Sequence, residues 1–266
     1  MIASDDRIGA IFTRARERHR RPLIAYIVAG DPDRATTDAA IDALTAGGVD
    51  LIELGIPYGD PLADGPTISA AAFRGLASGT TTDGAIAIAK AARARGSAPI
   101  VFFTYTNPVV QFGATRFAAA ARSAGALGAI VPDVPLEELD EIRPAFHAEG
   151  LGIPLLIAPT TPLERATRIA AASDGFVYVV SRLGVTGAGR RPDFAATADH
   201  VRRLRTATPK PLAVGFGIAS PADVRAVEAF ADGTIVGSAL IDAYAGARGA
   251  EAARRIAAFL TYIRNT

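Results

Sequence analysis

Two carboxylates that follow a short apolar segment are the side chains of this sequence best placed for acid–base chemistry. In residues 49–55, strand alternation places Val49, Leu51 and Glu53 on one face, so that an ionisable group ends an apolar row. Apolar surroundings raise the pKa of a carboxylic acid, which suits a group that gives and takes protons near neutral pH. We therefore predict that Glu53 is catalytic, with a buried glutamate satisfied by a structural partner as the alternative.

The second carboxylate lies in a loop, residues 56–66, in which three prolines and two glycines restrict the backbone. Asp60 and Asp64 could each do no more than cap a turn, since aspartate before proline or glycine commonly does so. The arc is eleven residues long, however, and this length allows Asp64 to fold back over the strand end toward Glu53. We predict that Glu53 and Asp64 form the acid–base pair.

Three glycine-rich turns predict a phosphate site. They are residues 184–189, 215–218 and 237–239, which follow the last three predicted strands. Glycine lets backbone N–H groups approach an anion closely, and the start of a helix supplies aligned donors. The hydroxyl of Ser238 could add a further donor. Each turn alone could be an ordinary connection between a strand and a helix, but together the three favour phosphate binding.

The residue types that are scarce or missing narrow the chemistry. The only lysines are Lys90, inside a helical pattern, and Lys210, on the N-terminal side of a strand, so a Schiff base at the strand C-termini is not expected. The three histidines, His19, His147 and His200, all fall in helical patterns, and there is no cysteine, so we predict no metal site. Carboxylate catalysis on a phosphorylated substrate remains. An indole ring suits such a site, because protonation of its C3 creates an iminium that accepts the electrons of a breaking bond.

The elements that must position these groups alternate between short Val- and Ile-rich runs and longer helical patterns, which is typical of a parallel sheet with crossover helices. Eight strands are predicted, at residues 23–28, 50–54, 99–104, 129–131, 154–157, 176–180, 212–215 and 233–236. Helices are predicted at about residues 36–46, 67–76, 82–94, 115–123, 136–148, 162–172, 195–205, 222–230 and 251–263. This alternation of strands and helices favours an α/β fold, a (β/α)8 TIM barrel. We also predict an extra N-terminal helix and a short phosphate-binding helix after strand eight, at residues 239–243.

Length and composition fit one such barrel. The chain has 266 residues, half of them apolar, and we expect a single domain over residues 1–266. It holds no uninterrupted apolar run of about eighteen residues and no recognisable secretion signal, so we expect a cytoplasmic protein that does not bind membranes. The net charge is +1, and the arginine-rich residues 14–21 lie on a predicted amphipathic helix, so we expect a solvated helix face there and no nucleic-acid binding.

Several separate loops of the sequence resemble those of the tryptophan synthase alpha chains, between about residues 23 and 240. The most specific stretch is ELGIPYGDPLADGPT at residues 53–67. Supporting segments are AGDP at 29–32, TYTNP at 104–108, VPD at 131–133, SRLGVTGA at 181–188 and GFGI at 215–218. The resemblance implies a reversible retro-aldol cleavage of indole-3-glycerol phosphate to indole and glyceraldehyde 3-phosphate.

The resemblance also implies roles for individual residues. Glu53 matches the general acid/base, Asp64 the carboxylate that binds the indole N–H, and Tyr178 a tyrosine near the glycerol moiety. The phosphate-binding positions of the family fall on Gly187, Gly217, Gly237 and Ser238. Arg182 and Thr186 match the mobile loop after strand six, in which the threonine orders Asp64 when the loop closes.

A partner is implied in the same way. The family works as an alpha2-beta2 heterotetramer in which the beta subunit carries pyridoxal phosphate and receives indole through a tunnel, whereas no cofactor is expected on this chain. The loops facing that partner match Asp60, Pro61, Asn107 and Pro108. Gly59 departs from the serine usual in the family, and residues 189–192 also depart from its pattern. The sequence leaves open a stand-alone lyase that releases free indole, or a silent paralogue that only activates a beta subunit.

Overall fold

The strands of the protein come from every part of the chain. The computed structural model describes residues 6–181 and 194–265. In these ranges the chain forms eight strands: β1 Leu23–Val28, β2 Leu51–Gly55, β3 Ile100–Phe103, β4 Ala129–Ile130, β5 Leu155–Ile157, β6 Val177–Val180, β7 Leu212–Gly215 and β8 Gly233–Val236. All of them are parallel, in the order β4-β3-β2-β1-β8-β7-β6-β5.

Within the described residues, one bridge joins the two edge strands and closes the barrel. Gly128 and Gly152 pair in parallel, the amide of Ala129 donates to the carbonyl of Gly152 at 3.1 Å, and the amide of Gly152 donates to Leu127 at 3.0 Å. The sheet therefore forms the predicted (β/α)8 barrel, whose closure removes the exposed edges of an open sheet.

The described ranges contain twelve helices, most of which pack outside the barrel. They are α1 Gly9–Glu17, α2 Arg34–Ala46, α3 Pro66–Ala77, α4 Thr82–Ala94, α5 Thr106–Phe112, α6 Ala114–Ser123, α7 Arg143–Ala148, α8 Leu163–Ala172, α9 Phe194–Arg205, α10 Pro221–Glu228, α11 Ser238–Tyr244 and α12 Gly249–Ile263. The extra N-terminal helix and the short helix after β8 were both predicted. No helix in the described residues is long and apolar enough to span a membrane.

One predicted helix is shorter than expected. The pattern over residues 136–148 predicts one continuous helix, but the structure has a 3-10 turn at Leu139–Glu141 and then α7. Pro144 lies in the first turn of α7, and a proline ring clashes with the carbonyl four residues earlier, so the helix cannot extend backwards through it.

One helix was not predicted. Helix α5 has seven residues and carries Pro108 in its first turn, where proline is tolerated. The Asn107–Pro108 dipeptide instead suggests a turn. The short length of α5 and the turn signal at Asn107–Pro108 together explain why the sequence did not predict this helix.

The register of the strands decides which side chains enter the barrel. Tyr26 on β1 lies opposite Glu53 on β2, and Glu53 lies opposite Val101 on β3. Paired residues share a face of the sheet, so these three point the same way. The residues of the strands are almost all buried, as expected for strands covered by helices outside and by packed side chains inside.

Candidate active site

A cavity at the mouth of the barrel brings together six of the residues that the sequence singled out. Its volume is about 400 Å³, including the open space at its entrance. The predicted residues among its lining are Glu53, Asp64, Tyr178, Gly217, Gly237 and Ser238. Tyr26, Ile68, Phe103, Phe216 and Ile235 complete the lining. Its walls are mostly apolar with a few converging polar groups, which is the usual lining of a small-molecule site.

Glu53 is a buried carboxylic acid without a hydrogen-bond partner among the described residues. Only 1% of the residue is exposed, and neither Oε1 nor Oε2 has a partner there. Burial raises the pKa of Glu53 to about 8, because the ionised form loses its hydration. At neutral pH the side chain is therefore mostly protonated, and it can donate a proton.

Asp64 lies in the loop between β2 and α3 and is held by its neighbours. Burial raises the pKa of Asp64 to about 6, and a hydrogen bond from the Tyr105 hydroxyl opposes that rise. The same hydroxyl accepts the amide of Ala63 at 3.1 Å, and the hydroxyl of Ser69 donates to the Asp64 carbonyl at 3.3 Å. These contacts fix the loop so that its carboxylate faces the cavity.

The two carboxylates of one cavity thus differ in charge at neutral pH. Glu53, with a pKa of about 8, is mostly neutral, whereas Asp64, with a pKa of about 6, is mostly ionised. Pairs of acids whose surroundings separate their pKa values commonly divide the roles of proton donor and charge stabiliser. The geometry supports this division between Glu53 and Asp64.

Two tyrosines line the cavity. The Tyr26 hydroxyl lies over the backbone of Gly55, and the Tyr178 hydroxyl lies over that of Gly215, where a side chain would collide with each ring. Burial, with the nearby charges of Glu53 and Asp64, raises the pKa of both tyrosines well above the usual range. Both hydroxyls therefore remain protonated and can donate hydrogen bonds to a ligand.

The glycine turns after β7 and β8 meet at one side of this cavity, as predicted. Phe216 and Gly217 both have left-handed backbones, with φ of 76° and 77°. The hydroxyl of Ser181 bonds the carbonyl of Phe216, and the Phe216 ring packs edge-on against Tyr178 at 5.9 Å. A phenylalanine in this conformation is strained, and such strain is concentrated at functional sites. Gly187, Arg182 and Thr186 lie outside the described residues.

The partner-facing residues expected from the resemblance lie close to the mouth. Asp60 and Asn107 are exposed, and Pro61 and Pro108 are partly exposed. Asn107 donates to the Tyr58 hydroxyl at 3.0 Å, which joins α5 to the loop that carries Asp60. Leu62 and Val110 add exposed apolar surface, at 73% and 52% exposure.

Sequence analysis missed four aromatic residues of the site. Tyr26 lies within β1 and Phe103 is the last residue of β3, and their rings pack edge-on at 5.4 Å. Strand alternation could have found them, because both share a face with Glu53. Tyr105 lies two residues after β3 and Phe216 directly follows β7, but their contacts with Asp64 and Tyr178 join distant parts of the chain and leave no local signal.

The groups of alternative chemistries lie elsewhere. Lys90 is in α4, and Lys210 precedes β7, where its ammonium bonds the carbonyls of Ala171 and Ser173. Within residues 6–181 and 194–265, no three His, Cys, Asp or Glu side chains gather in a way that could hold a metal ion.

Comparisons with known proteins find similarity along nearly the whole chain. A family model described as tryptophan synthase alpha chain matches residues 12–264. The tryptophan synthase alpha chains of Prochlorococcus marinus and Arabidopsis thaliana are 46% and 44% identical over 97% and 88% of this chain and 94% and 85% of their own.

Solved structures give the same result for the fold. A chain of Mycobacterium tuberculosis tryptophan synthase superposes with a TM-score of 0.89 at 35% identity, covering 98% of this chain and 99% of that one. The tryptophan synthase alpha subunit of Legionella pneumophila superposes with a TM-score of 0.87 at 31% identity, with coverage of 98% and 99%. The described part of the mouth lies within the region of similarity in each case.

Proposed function

The chain belongs to the tryptophan synthase alpha chain family, and from this premise we propose how the cavity at its barrel mouth performs the lyase reaction. The substrate is indole-3-glycerol phosphate, and the products are indole and glyceraldehyde 3-phosphate. The observation that carries the proposal is a buried carboxylic acid, Glu53, that has no hydrogen-bond partner among the described residues and lies in the same cavity as the glycine turns after β7 and β8.

Substrate binding uses both ends of the cavity. The phosphate lies against the backbone N–H groups of Gly217 and Gly237 and the hydroxyl of Ser238, with Gly187 as a further donor suggested by the family resemblance. The indole ring packs against Tyr26 and Phe103, and the ionised Asp64 accepts its N–H. The hydroxyl of Tyr178 contacts the glycerol moiety of the substrate.

The cleavage follows from the protonation states of the two acids. Protonated Glu53 transfers its proton to C3 of indole, and the positive charge that develops on the ring nitrogen is stabilised by Asp64. The Glu53 carboxylate then takes the proton of the hydroxyl on the carbon attached to C3. That carbon becomes the aldehyde as its bond to C3 breaks, and the electron pair of the bond neutralises the iminium. Glu53 ends in its starting state, and the cycle uses no cofactor on this chain.

Replacement of Glu53 by glutamine tests this assignment. We expect Glu53→Gln to lower kcat at least about 1000-fold, because the amide cannot give or take the proton, while phosphate-ligand affinity changes little. The measurement is indole release from indole-3-glycerol phosphate, with the exposed Glu164→Gln as a matched control. Turnover like that of the wild type in Glu53→Gln would refute the role of Glu53.

The two alternatives left open by the sequence are not favoured. A silent paralogue that only activates a beta subunit needs neither a neutral buried acid nor a phosphate site. This chain has the buried acid Glu53, and within the described residues it has the glycine turns after β7 and β8. A stand-alone lyase would share both. High turnover alone, without stimulation by a beta subunit, would favour the stand-alone lyase over the proposed alpha subunit.

We place the chain in tryptophan biosynthesis in the cytoplasm, as the alpha subunit of an alpha2-beta2 heterotetramer whose beta subunit carries pyridoxal phosphate. Asp60, Pro61, Asn107 and Pro108 form the proposed contact, and their exposure beside the mouth supports it. Indole then passes directly to the beta subunit.

Charge reversal in the proposed interface tests the partner surface. We expect Asp60→Arg to weaken binding to a beta subunit by about tenfold or more and to reduce stimulation, because the change reverses a charge within the proposed contact. Cleavage by the isolated chain should persist. Titration with a purified beta subunit measures both quantities, and Asp199→Arg, at an exposed position of α9, is the control. Equal binding by the two variants would remove Asp60 from the interface.

A further inference from the structure

An ion cluster around one buried carboxylate lies outside the cavity. The carboxylate of Asp31, on the loop after β1, is fully buried and accepts two hydrogen bonds from Arg74, from Nε at 2.6 Å and from Nη2 at 2.9 Å. The Tyr244 hydroxyl donates to the same carboxylate at 3.4 Å, and Tyr244 is itself only 2% exposed. None of these three residues lines the cavity.

The cluster joins the two helices that carry the two ends of the proposed substrate site. Arg74 belongs to α3, which begins two residues after Asp64. Tyr244 belongs to α11, whose first residue is Ser238. A second contact joins the same helices nearer the mouth, where the Thr67 hydroxyl lies 3.2 Å from an Asp242 carboxylate oxygen. The helices are thus joined at two places along their length.

Helix α3 has little freedom to move away from this arrangement. A side chain at Gly75 would lie 2.7 Å from the carbonyl of Ala29, so the backbone of α3 lies directly against the end of β1. The Ser78 hydroxyl, one residue past α3, donates to the carbonyl of Gly30 at 2.9 Å. Because Asp31 is buried, moving Arg74 away would leave a charge without a partner, which proteins tolerate poorly.

We propose that Asp31, Arg74 and Tyr244 are positioning residues that set the separation between Asp64 and the phosphate-binding turn at Gly237 and Ser238. The proposal rests on the substrate assigned above and adds residues that do not touch it. A rigid separation matters because one ligand must satisfy both ends at once, and misplacement by about 1 Å can cost roughly a hundredfold in rate.

A positioning role for the cluster predicts a pattern of ligand affinities that a general contribution to stability would not produce. Indole alone and inorganic phosphate alone each contact one end of the site. Their affinities therefore do not depend on the separation between the two ends. A ligand in which a three-carbon chain joins an indole to a phosphate does depend on it. Its second end binds at an effective concentration set by the geometry between the ends.

The experiment compares binding of three probes, indole, inorganic phosphate and the linked indole–phosphate, by calorimetry. The variants are Tyr244→Phe and Arg74→Lys, which keep the ring or the charge but weaken the contacts with Asp31. We expect affinity for the linked probe to fall on the order of tenfold in each variant, with the separate probes changed less than about twofold. In cleavage assays kcat should fall while the pH profile keeps its shape.

Matched controls separate positioning from folding. Tyr262→Phe removes a hydroxyl from a residue that is 50% exposed, and Arg95→Lys changes an arginine that is about as exposed as Arg74 and that pairs α2 with the end of α4 through exposed or partly exposed aspartates. Both should bind all three probes like the wild type. Thermal melting of every variant shows which of them fold. If one of the two cluster variants does not fold, the other still tests the proposal.

Three results would overturn the inference, and each differs from a failure of the proposed function. Unchanged affinity for the linked probe in folded cluster variants would show that the cluster does not set the separation. Equal loss for all three probes would show a merely structural role. Losses in the two control variants as large as those in the cluster variants would also contradict it. If the wild-type chain bound no indole and cleaved no indole-3-glycerol phosphate, the proposed function itself would fail.

Discussion

Glu53 and Asp64 face one cavity but differ in their neighbours. Glu53 has no hydrogen-bond partner within the described residues, so burial alone raises its pKa to about 8. Asp64 receives a hydrogen bond from Tyr105, which favours the ionised form and limits the rise of its pKa to about 6. Asp64 is also less deeply buried than Glu53, so burial and the Tyr105 hydrogen bond together separate the pKa values of the two acids.

This division predicts a bell-shaped pH profile for indole-3-glycerol-phosphate cleavage. Below pH about 6 the rate should fall because Asp64 becomes protonated and loses the negative charge that stabilises the developing iminium. Above pH about 8 it should fall because Glu53 ionises and has no proton to deliver. Steady-state kcat/KM measured from pH 5 to 10 would report both limbs. A rate that rises steadily to pH 10 would contradict the assignment of Glu53 as the initial proton donor.

The raised pKa of Glu53 also predicts a cost in stability. Its pKa is about 8 in the folded protein against an ordinary value of 4.5, so the folded chain binds the proton more tightly than the unfolded chain. The folded state is therefore penalised progressively as pH rises from about 4.5 to 8, and the full penalty applies above 8. Glu53→Gln removes the ionising group and should raise the free energy of unfolding at pH 9 by on the order of 5 kcal/mol.

Urea unfolding at pH 5 and at pH 9 measures this effect. The stabilisation should be small at pH 5, where Glu53 is protonated in the folded protein. The exposed Glu164→Gln variant should show no comparable difference between the two pH values. If Glu53→Gln were less stable than the wild type at pH 9, the carboxylate would have a stabilising partner and the structural alternative for Glu53 would return.

Among the secondary-structure elements, those defined by local patterns could be predicted well. The predicted bounds of β1, β7 and β8 agree with the structure, because runs of Val, Ile and Leu buried on both faces are bounded by glycine, proline or polar residues. The predicted bounds of α4 also agree, since the Thr81 hydroxyl accepts the amide of Gly84 and caps its start.

Elements that depend on a single local exception could not be predicted. Helix α5 is too short to show an amphipathic period, and Pro144 ends a pattern that otherwise reads as continuous. The same limit applies to the site. The position of Glu53 followed from strand alternation, whereas the bond between Tyr105 and Asp64 joins residues 41 positions apart and depends on how the loops fold over the mouth.

For the whole molecule, the site depends on closure of the barrel, because its residues come from strands on opposite sides. Glu53 is on β2 and Tyr178 is on β6, and along the sheet β1, β8 and β7 separate them. The second path between them crosses the junction of β4 and β5. The bridge between Gly128 and Gly152 is the contact that closes this junction within the described residues. That the chain forms a single domain over residues 1–266 stays a prediction.

Gly128 therefore has a structural role that a side chain would disrupt. A Cβ atom at Gly128 would overlap the carbonyl oxygen of Gly152 and lie within 3.0 Å of two further backbone atoms of Gly152, so strand β5 would have to move. We expect Gly128→Val to lower the free energy of unfolding by roughly 1–3 kcal/mol or more and to reduce cleavage, because the strands carrying Glu53 and Tyr178 lose their second connection. Thermal melting and indole release measure the two effects.

Gly59→Ala is the control for stability, since a Cβ there has nothing within 4 Å and should change the free energy of unfolding by less than about 0.5 kcal/mol. If Gly128→Val melted at the wild-type temperature, the bridge would not hold the barrel closed.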